Sequence, residues 1–195
     1  LVMGLAVLLS ACGFHLRGTG TSELAFKELD LSARNAYGET VMMMRQTLQS
    51  SGVNVTAAAP YKLVLTNEQT SQRSLSYSGA GRTAENELTT VLDYQIVGQN
   101  NLTLISDKLQ VQKVVMHDGS NITGSVQEQD EARKEIHREL VQRMMLRLQQ
   151  MTPAQLDQLQ QTANARAKAE ADALDAAQKA EANTPRQSPL QIPAE

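Results

Sequence analysis

At 195 residues, with one cysteine, no tryptophan and 3% aromatic side chains, the chain has room for one ordinary domain with an aliphatic and thioether core, and its scarcity of rings argues against stacking platforms for bases. A formal charge of −3, from 21 acidic against 18 basic residues, argues against the basic footprint of a nucleic-acid binder. A single cysteine excludes an internal disulfide.

The first predicted element is the uncharged run LVMGLAVLLSA, Leu1 to Ala11. It is too short to span a bilayer, which takes about 20 apolar residues, but it matches the apolar stretch of a secretory signal, about 7–15 residues. Leu9, Ser10, Ala11 and Cys12 resemble the lipobox of bacterial lipoproteins, which implies cleavage between Ala11 and Cys12 and acylation of Cys12. An ordinary buried strand or helix is the competing reading of residues 1–11. A single acyl chain binds membranes marginally whereas two or more anchor stably, so an acylated Cys12 would tie the chain to a bilayer surface. No basic segment or initiator methionine stands before the run, so the chain is expected to be truncated at its front. Gly13 occupies the place where an aspartate tends to mark inner-membrane retention in Gram-negative lipoproteins, and this favours the outer membrane.

Residues 12–23 then read as a linker, and residues 24–161 as a mixed α/β domain. LAFKELDLS is the first strand, with Leu29 and Leu31 on one face. GETVMMMRQTLQSSG is a helix in which Val41, Met44 and Leu48 recur at helical spacing and Gly52 takes the left-handed terminating position. Three consecutive methionines cannot all face inward, which leaves Met42 or Met43 for the surface or a partner. YKLVLTNE begins the second strand, which resumes at SLSYS, and SGAGR supplies a turn. In ENELTTVLDYQIV, Leu88, Thr90, Leu92, Tyr94 and Ile96 alternate with Glu87, Thr89, Val91, Asp93 and Gln95, the mark of a strand with one buried and one wet face. GQNN turns the chain into LTLISDKLQVQKVVM, the fourth strand; short turns make these strands antiparallel neighbours.

The last strong element is predicted to start at Ser125, where Ser125 and Glu128 match a capping box. Ala132, Ile136, Leu140, Met144, Leu148 and Met151 continue it as an apolar stripe. Thr152 and Pro153 open a short second helix, TPAQLDQLQQ. Residues 162–195 read as an Ala-rich fraying helix, with Leu174 its one large apolar residue, followed by a Pro-containing disordered tail or docking peptide. The expected fold class is α+β: a two-layer sandwich in which two amphipathic helices cover one face of a four-stranded, mostly antiparallel sheet. The second sheet face is left to water or to the lumen of a partner.

No catalytic, cofactor or metal site emerges from these residues. His15, His117 and His137 lack the spacing of a metal motif and read as surface or boundary histidines. No serine stands in a nucleophile elbow. Gly79 to Arg82, GAGR, joins strand to strand and offers no helix N-terminus to a phosphate. Glu85 and Glu87 share a strand face as solubilising charge, and the sequons at Asn54, Asn101 and Asn121 are incidental.

CGFHLR at Cys12 to Arg17, TAE at Thr83 to Glu85, and the stretch from QEQD to RKEI leading into the last helix, in this order of elements, resemble the LPS-assembly lipoprotein family LptE over about residues 12–150. The resemblance implies an outer-membrane lipoprotein on the periplasmic side that plugs the LptD β-barrel, supports assembly of that barrel and the insertion of lipopolysaccharide into the outer leaflet, binds lipopolysaccharide, and catalyses nothing. A lipoprotein scaffold of another envelope complex and a tethered periplasmic hydrolase are the competing functions, and the second finds no nucleophile and base in the chain. The family carries basic character near the tip between strands two and three. Its basic position falls on Gly79 here, and Arg82, with Arg73 a little earlier, is the expected lipopolysaccharide-binding donor.

Overall fold

The computed structural model describes residues 24–77, 79, 83–116 and 121–183. The expected signal run with Ala11 and Cys12, the linker 12–23, His15, Arg82, His117 and the tail beyond residue 183 lie outside the described residues. The elements run β1 (Glu28–Ala33), α1 (Glu39–Ser50), β2 (Asn54–Val55), β3 (Lys62–Tyr77), β4 (Thr83–Val97), β5 (Thr103–Met116), α2 (Ile122–Gln149) and α3 (Pro153–Asn183). Among the described residues no helix is long and apolar enough to cross a membrane.

The expected α+β class holds, but the sheet has five strands rather than four, in the order β2-β1-β3-β4-β5, and it is mixed. β3, β4 and β5 form the expected antiparallel meander. β1 pairs in parallel with β2 on one side and β3 on the other. Parallel neighbours need a crossover, and α1 supplies it by returning the chain to the end of the sheet where β1 began. The two-residue β2 is too short to carry a hydrophobic period, and this hides it in the sequence.

The alternation read along β4 is a true burial pattern: Leu88, Leu92, Tyr94 and Ile96 are fully buried and Thr90 nearly so. α2 lies over them, and its Ala132, Ile136, Leu140, Met144 and Leu148 enter the same core, with Val141 and Met145 widening the stripe and Met151 at its margin. α1 packs beside α2 through Val41, Met44 and Leu48. Gly52, at φ +83°, ends α1 as expected. Met42 is the exposed methionine of the three and Met43 is half-buried.

Two helix boundaries differ from the sequence expectation. α2 starts at Ile122, because the Asn121 side chain accepts from the Gly124 amide at 3.0 Å and caps the helix a turn earlier than Ser125. Ser125 is buried inside the helix, and Glu128 accepts the Met116 amide of β5 at 3.2 Å instead of closing a capping box. α3 is a third helix that runs beyond Gln161 to Asn183, since alanine is the best helix former and neither glycine nor a further proline interrupts it. Only Leu156 and Gln160 of α3 are buried. Gln160 clamps the β4–β5 turn: its side-chain oxygen accepts from the Gln99 amide at 2.9 Å and its nitrogen donates to the Gln99 carbonyl at 3.4 Å. Gly98 permits this approach, because a Cβ there would collide with Gln160 Oε1 and Leu104.

Truncating the fully buried Leu92 to Ala is expected to cost about 2–5 kcal/mol, whereas Leu174→Ala, on the exposed part of α3, is expected to stay within about 0.5 kcal/mol. Urea unfolding of the two variants measures both.

Candidate functional site

The three long strands carry a face that α1 and α2 do not cover, and register places its side chains in rows. Asn67, Asp93 and Lys108 form one row, Ser71, Thr89 and Gln112 another, and Arg73, Glu87 and Val114 a third. Neighbours within the rows satisfy one another: Asn67 donates to Asp93 at 3.3 Å, and Ser76 at the far end donates to Glu85 at 3.0 Å. The face is therefore polar and internally paired. It suits a wet environment rather than a second apolar layer.

Arg73, the one sequence-predicted donor within the described residues, stands in these rows. Its guanidinium meets the Glu87 carboxylate across the strand at 3.1 Å, and the side chain remains 72% exposed. Gly79 lies in the turn beyond, where a Cβ would meet nothing within 4 Å, so a side chain there is unobstructed. Arg82 and Cys12 lie outside the described residues. Around this distal end Tyr77, Val114 and Met116 are exposed, and Leu75 is partly so. An apolar fringe beside an exposed guanidinium has the chemistry to meet an amphiphile with anionic groups.

A second polar constellation went unseen in the sequence. A bulge between Leu65 and Asn67 reverses the alternation of β3, so that Leu63 and Leu65 face the core and Glu68, rather than Asn67, takes the next place on the helix-covered side. There His137 Nδ1 lies 3.1 Å from Glu68 Oε1 and 2.8 Å from the buried Thr40 hydroxyl, and Glu39 stands 3.8 Å from Nε2. The hydrogen bond to Glu68 pushes the His137 pKa up, against the opposing effect of burial and with help from the charges of Glu68 and Glu39. Burial raises the Glu68 pKa, but hydrogen bonds from His137 and Thr40 and the imidazolium charge outweigh it, and the net direction is down. His137 is thus a boundary histidine, as expected, but one that ties α1, α2 and β3 together. Thr40 and His137 are 97 residues apart, and no local pattern could have joined them. A further tie fixes the end of α2: Arg147 reaches Asp107 at 2.7 Å and the Tyr94 hydroxyl at 3.4 Å.

Among the described residues no group of three or more His, Cys, Asp or Glu side chains is arranged to hold a metal ion. The fold is shared with bacterial lipoproteins of known structure. Rare lipoprotein B from Shewanella oneidensis superposes with a TM-score of 0.57 at 20% identity, covering 62% of this chain and 92% of that one. Lipoprotein B from Nitrosomonas europaea gives 0.58 at 21%, covering 71% and 89%. The family itself follows from sequence: residues 26–148 match the model of LptE, lipopolysaccharide-assembly, and the chain belongs to that family. LPS-assembly lipoprotein LptE of Photorhabdus laumondii is 33% identical over 102 residues, 50% of this chain and 56% of the relative. That of Pectobacterium atrosepticum is 35% identical over 103 residues, 50% and 55%. The aligned chain spans about half the length of these curated relatives.

The His137 cluster makes stability depend on pH with a definite sign. His137 holds its proton more tightly folded than unfolded, so its contribution is complete below the ordinary histidine value of about 6.5 and is lost as pH rises through the raised folded value. The contribution of Glu68, whose pKa is lowered, is present above the ordinary carboxylate range and is lost as pH falls through its folded value. Relative to the parent, His137→Asn is expected to lose more stability near pH 6 than near pH 8, as read from urea midpoints across that range.

Proposed function

We propose that this chain is a lipid-anchored outer-membrane protein of lipopolysaccharide assembly, held at the periplasmic side through an acylated Cys12, whose domain seats in the lumen of the LptD β-barrel. In this role it supports assembly of the barrel and insertion of lipopolysaccharide into the outer leaflet. No reaction is asked of it. Membership of the LptE family supports the assembly role, and the relatives' names carry both the lipoprotein and the lipopolysaccharide association. The observation that carries the plug reading is the uncovered sheet face with its rows of paired polar side chains. A plug must fill a barrel whose interior is polar and hydrated, and a face that is polar yet internally satisfied enters such a lumen with little desolvation cost.

Lipopolysaccharide is anionic and amphiphilic. Arg82, with Arg73 beside the exposed Tyr77 and Met116, is the proposed contact.

Three experiments test the reading. Mild detergent extraction of outer membranes bearing a tagged chain is expected to yield LptD at a one-to-one ratio that survives salt washes; recovery with a different envelope complex would assign the chain to a scaffold there. Cys12→Ser is expected to move the chain from the membrane to the soluble periplasmic fraction. In the purified protein, Arg82→Asp is expected to weaken lipopolysaccharide binding several-fold and Arg73→Asp to weaken it less, since Arg73 is already paired with Glu87; unchanged binding in both variants would remove these residues from the role.

A further inference from the structure

The stretch that leads from β1 into α1 is lightly held. Arg34 to Tyr37 are exposed, Gly38 is half-buried, Glu39 is exposed and Thr40 alone is buried. The Arg34 amide donates to the Leu65 carbonyl at 3.1 Å and closes the end of β1, whereas the Gly38 amide only reaches back to the Asn35 carbonyl of its own turn. A helix start leaves amides without partners in the helix, and no side chain caps α1, whose N-cap is Gly38. What fastens this stretch to the helix layer is the Thr40 hydroxyl, 2.8 Å from His137 Nδ1 on α2.

A cleft of about 350 Å³ lies between the same stretch and β3, with Val41, Leu65 and Leu92 in its lining. Each element around His137 brings a charge to it. Glu68 of β3 stands 3.1 Å from Nδ1, Glu39 of α1 stands 3.8 Å from Nε2, and Arg34 at the end of β1 lines the cleft beside them. On α2 itself, Arg133 and Lys134 one turn earlier are paired with Asp130 and Glu131. With its proton, the ring is one positive charge shared by two carboxylates. Without it, two carboxylates face each other across a neutral ring, and Glu68, with 29% of its side chain exposed against 45% for Glu39, loses its counter-charge in a half-buried place. Glu68 is fixed in the pairing of β3 with β4. Glu39 sits on the uncapped turn, so it is the carboxylate that can withdraw.

We propose that Arg34–Thr40 is a pH-sensitive flap over this cleft, latched by protonated His137 and released when that ring loses its proton. Release lifts Glu39 away from Glu68 and lets water reach the cleft. The hydrogen bond to Glu68 raises the pKa of His137, which puts release above the ordinary histidine value of about 6.5. Glu68, whose pKa is lowered, undoes the latch again when it is protonated at acid pH, so the closed state occupies the window between the two groups. The inference goes beyond the assembly role and does not depend on it.

NMR of the purified, isotope-labelled full chain tests the flap. Amide protection, corrected for the intrinsic pH dependence of exchange, is expected to fall several-fold at Gly38 and Met42 between pH near 6 and pH near 9, with the midpoint at which the His137 ring itself titrates. Relaxation of the Leu65 and Leu92 methyls by a soluble gadolinium chelate is expected to rise in step, while amide protection at Leu48 and Leu63 stays constant. His137→Asn is expected to leave the flap released at both pH values. Glu39→Gln, an exposed substitution that removes the repulsion, is expected to keep the cleft covered near pH 9. Constant protection at Gly38 and Met42 while His137 titrates overturns the proposal, as does opening that persists unchanged in Glu39→Gln. Loss of protection spread equally to Leu48 and Leu63 would mean that the whole domain loosens rather than a flap, and likewise overturns it.

Discussion

One layer contact organises this molecule: the buried face of β4 against the apolar stripe of α2. β4 is the strand with a long partner on each side, and its Leu88, Leu92, Tyr94 and Ile96 are fully buried. α2, at 28 residues and about 1.5 Å per residue, reaches roughly 42 Å, enough to follow most of that strand and of β5. The contact dictates which side of the sheet is core. It also gives α1 a helix to lean on and leaves the opposite face without a layer. Tyr94 shows how the seam is closed at one end, with its ring buried in the core while its hydroxyl reaches the Arg147–Asp107 pair at the rim.

The meander is longer than the layer that covers it. β3, β4 and β5 hold 16, 15 and 14 residues, whereas β1 pairs with β3 only from Asp30 to Ala33. The distal half of β3 thus stands in solvent on both faces and along one edge. The same mismatch produces the polar rows, the exposed apolar fringe near Tyr77 and Met116, and the open edge beside the cleft. A two-layer domain built only for its own stability would not need strands that extend beyond its core. The surplus strand is surface that the domain's own two layers leave uncovered.

Legibility followed the range of the interactions involved. The period of β4 and the stripes of α1 and α2 were plain because burial on one face writes a repeat of two or of about 3.6 residues into consecutive positions. The strand β3 was read as two pieces because its bulge reverses the alternation after Leu65 and because its distal residues are exposed on both faces, leaving no apolar period. The capping box at Ser125 was a valid local pattern that lost to Asn121, whose cap lies one turn earlier and lets Glu128 serve the end of β5. Arg73 was found by its charge, but its pairing with Glu87 depends on strand register, and register is not written at either residue alone.

By itself the sequence determined the α+β class, the antiparallel meander, the amphipathic faces of α1 and α2, and the motifs that led to the family, because each rests on neighbours along the chain and on the propensity of short segments. The tertiary structure alone decided the parallel seat of β1, the extra strand β2, the His137–Glu68–Thr40 junction, the Gln160 clamp on the β4–β5 turn, and the edge of β3 that β1 leaves uncovered. Each of these joins groups that are distant in sequence, and such partners are selected only when packing brings β1, β3, α1 and α2 to one place.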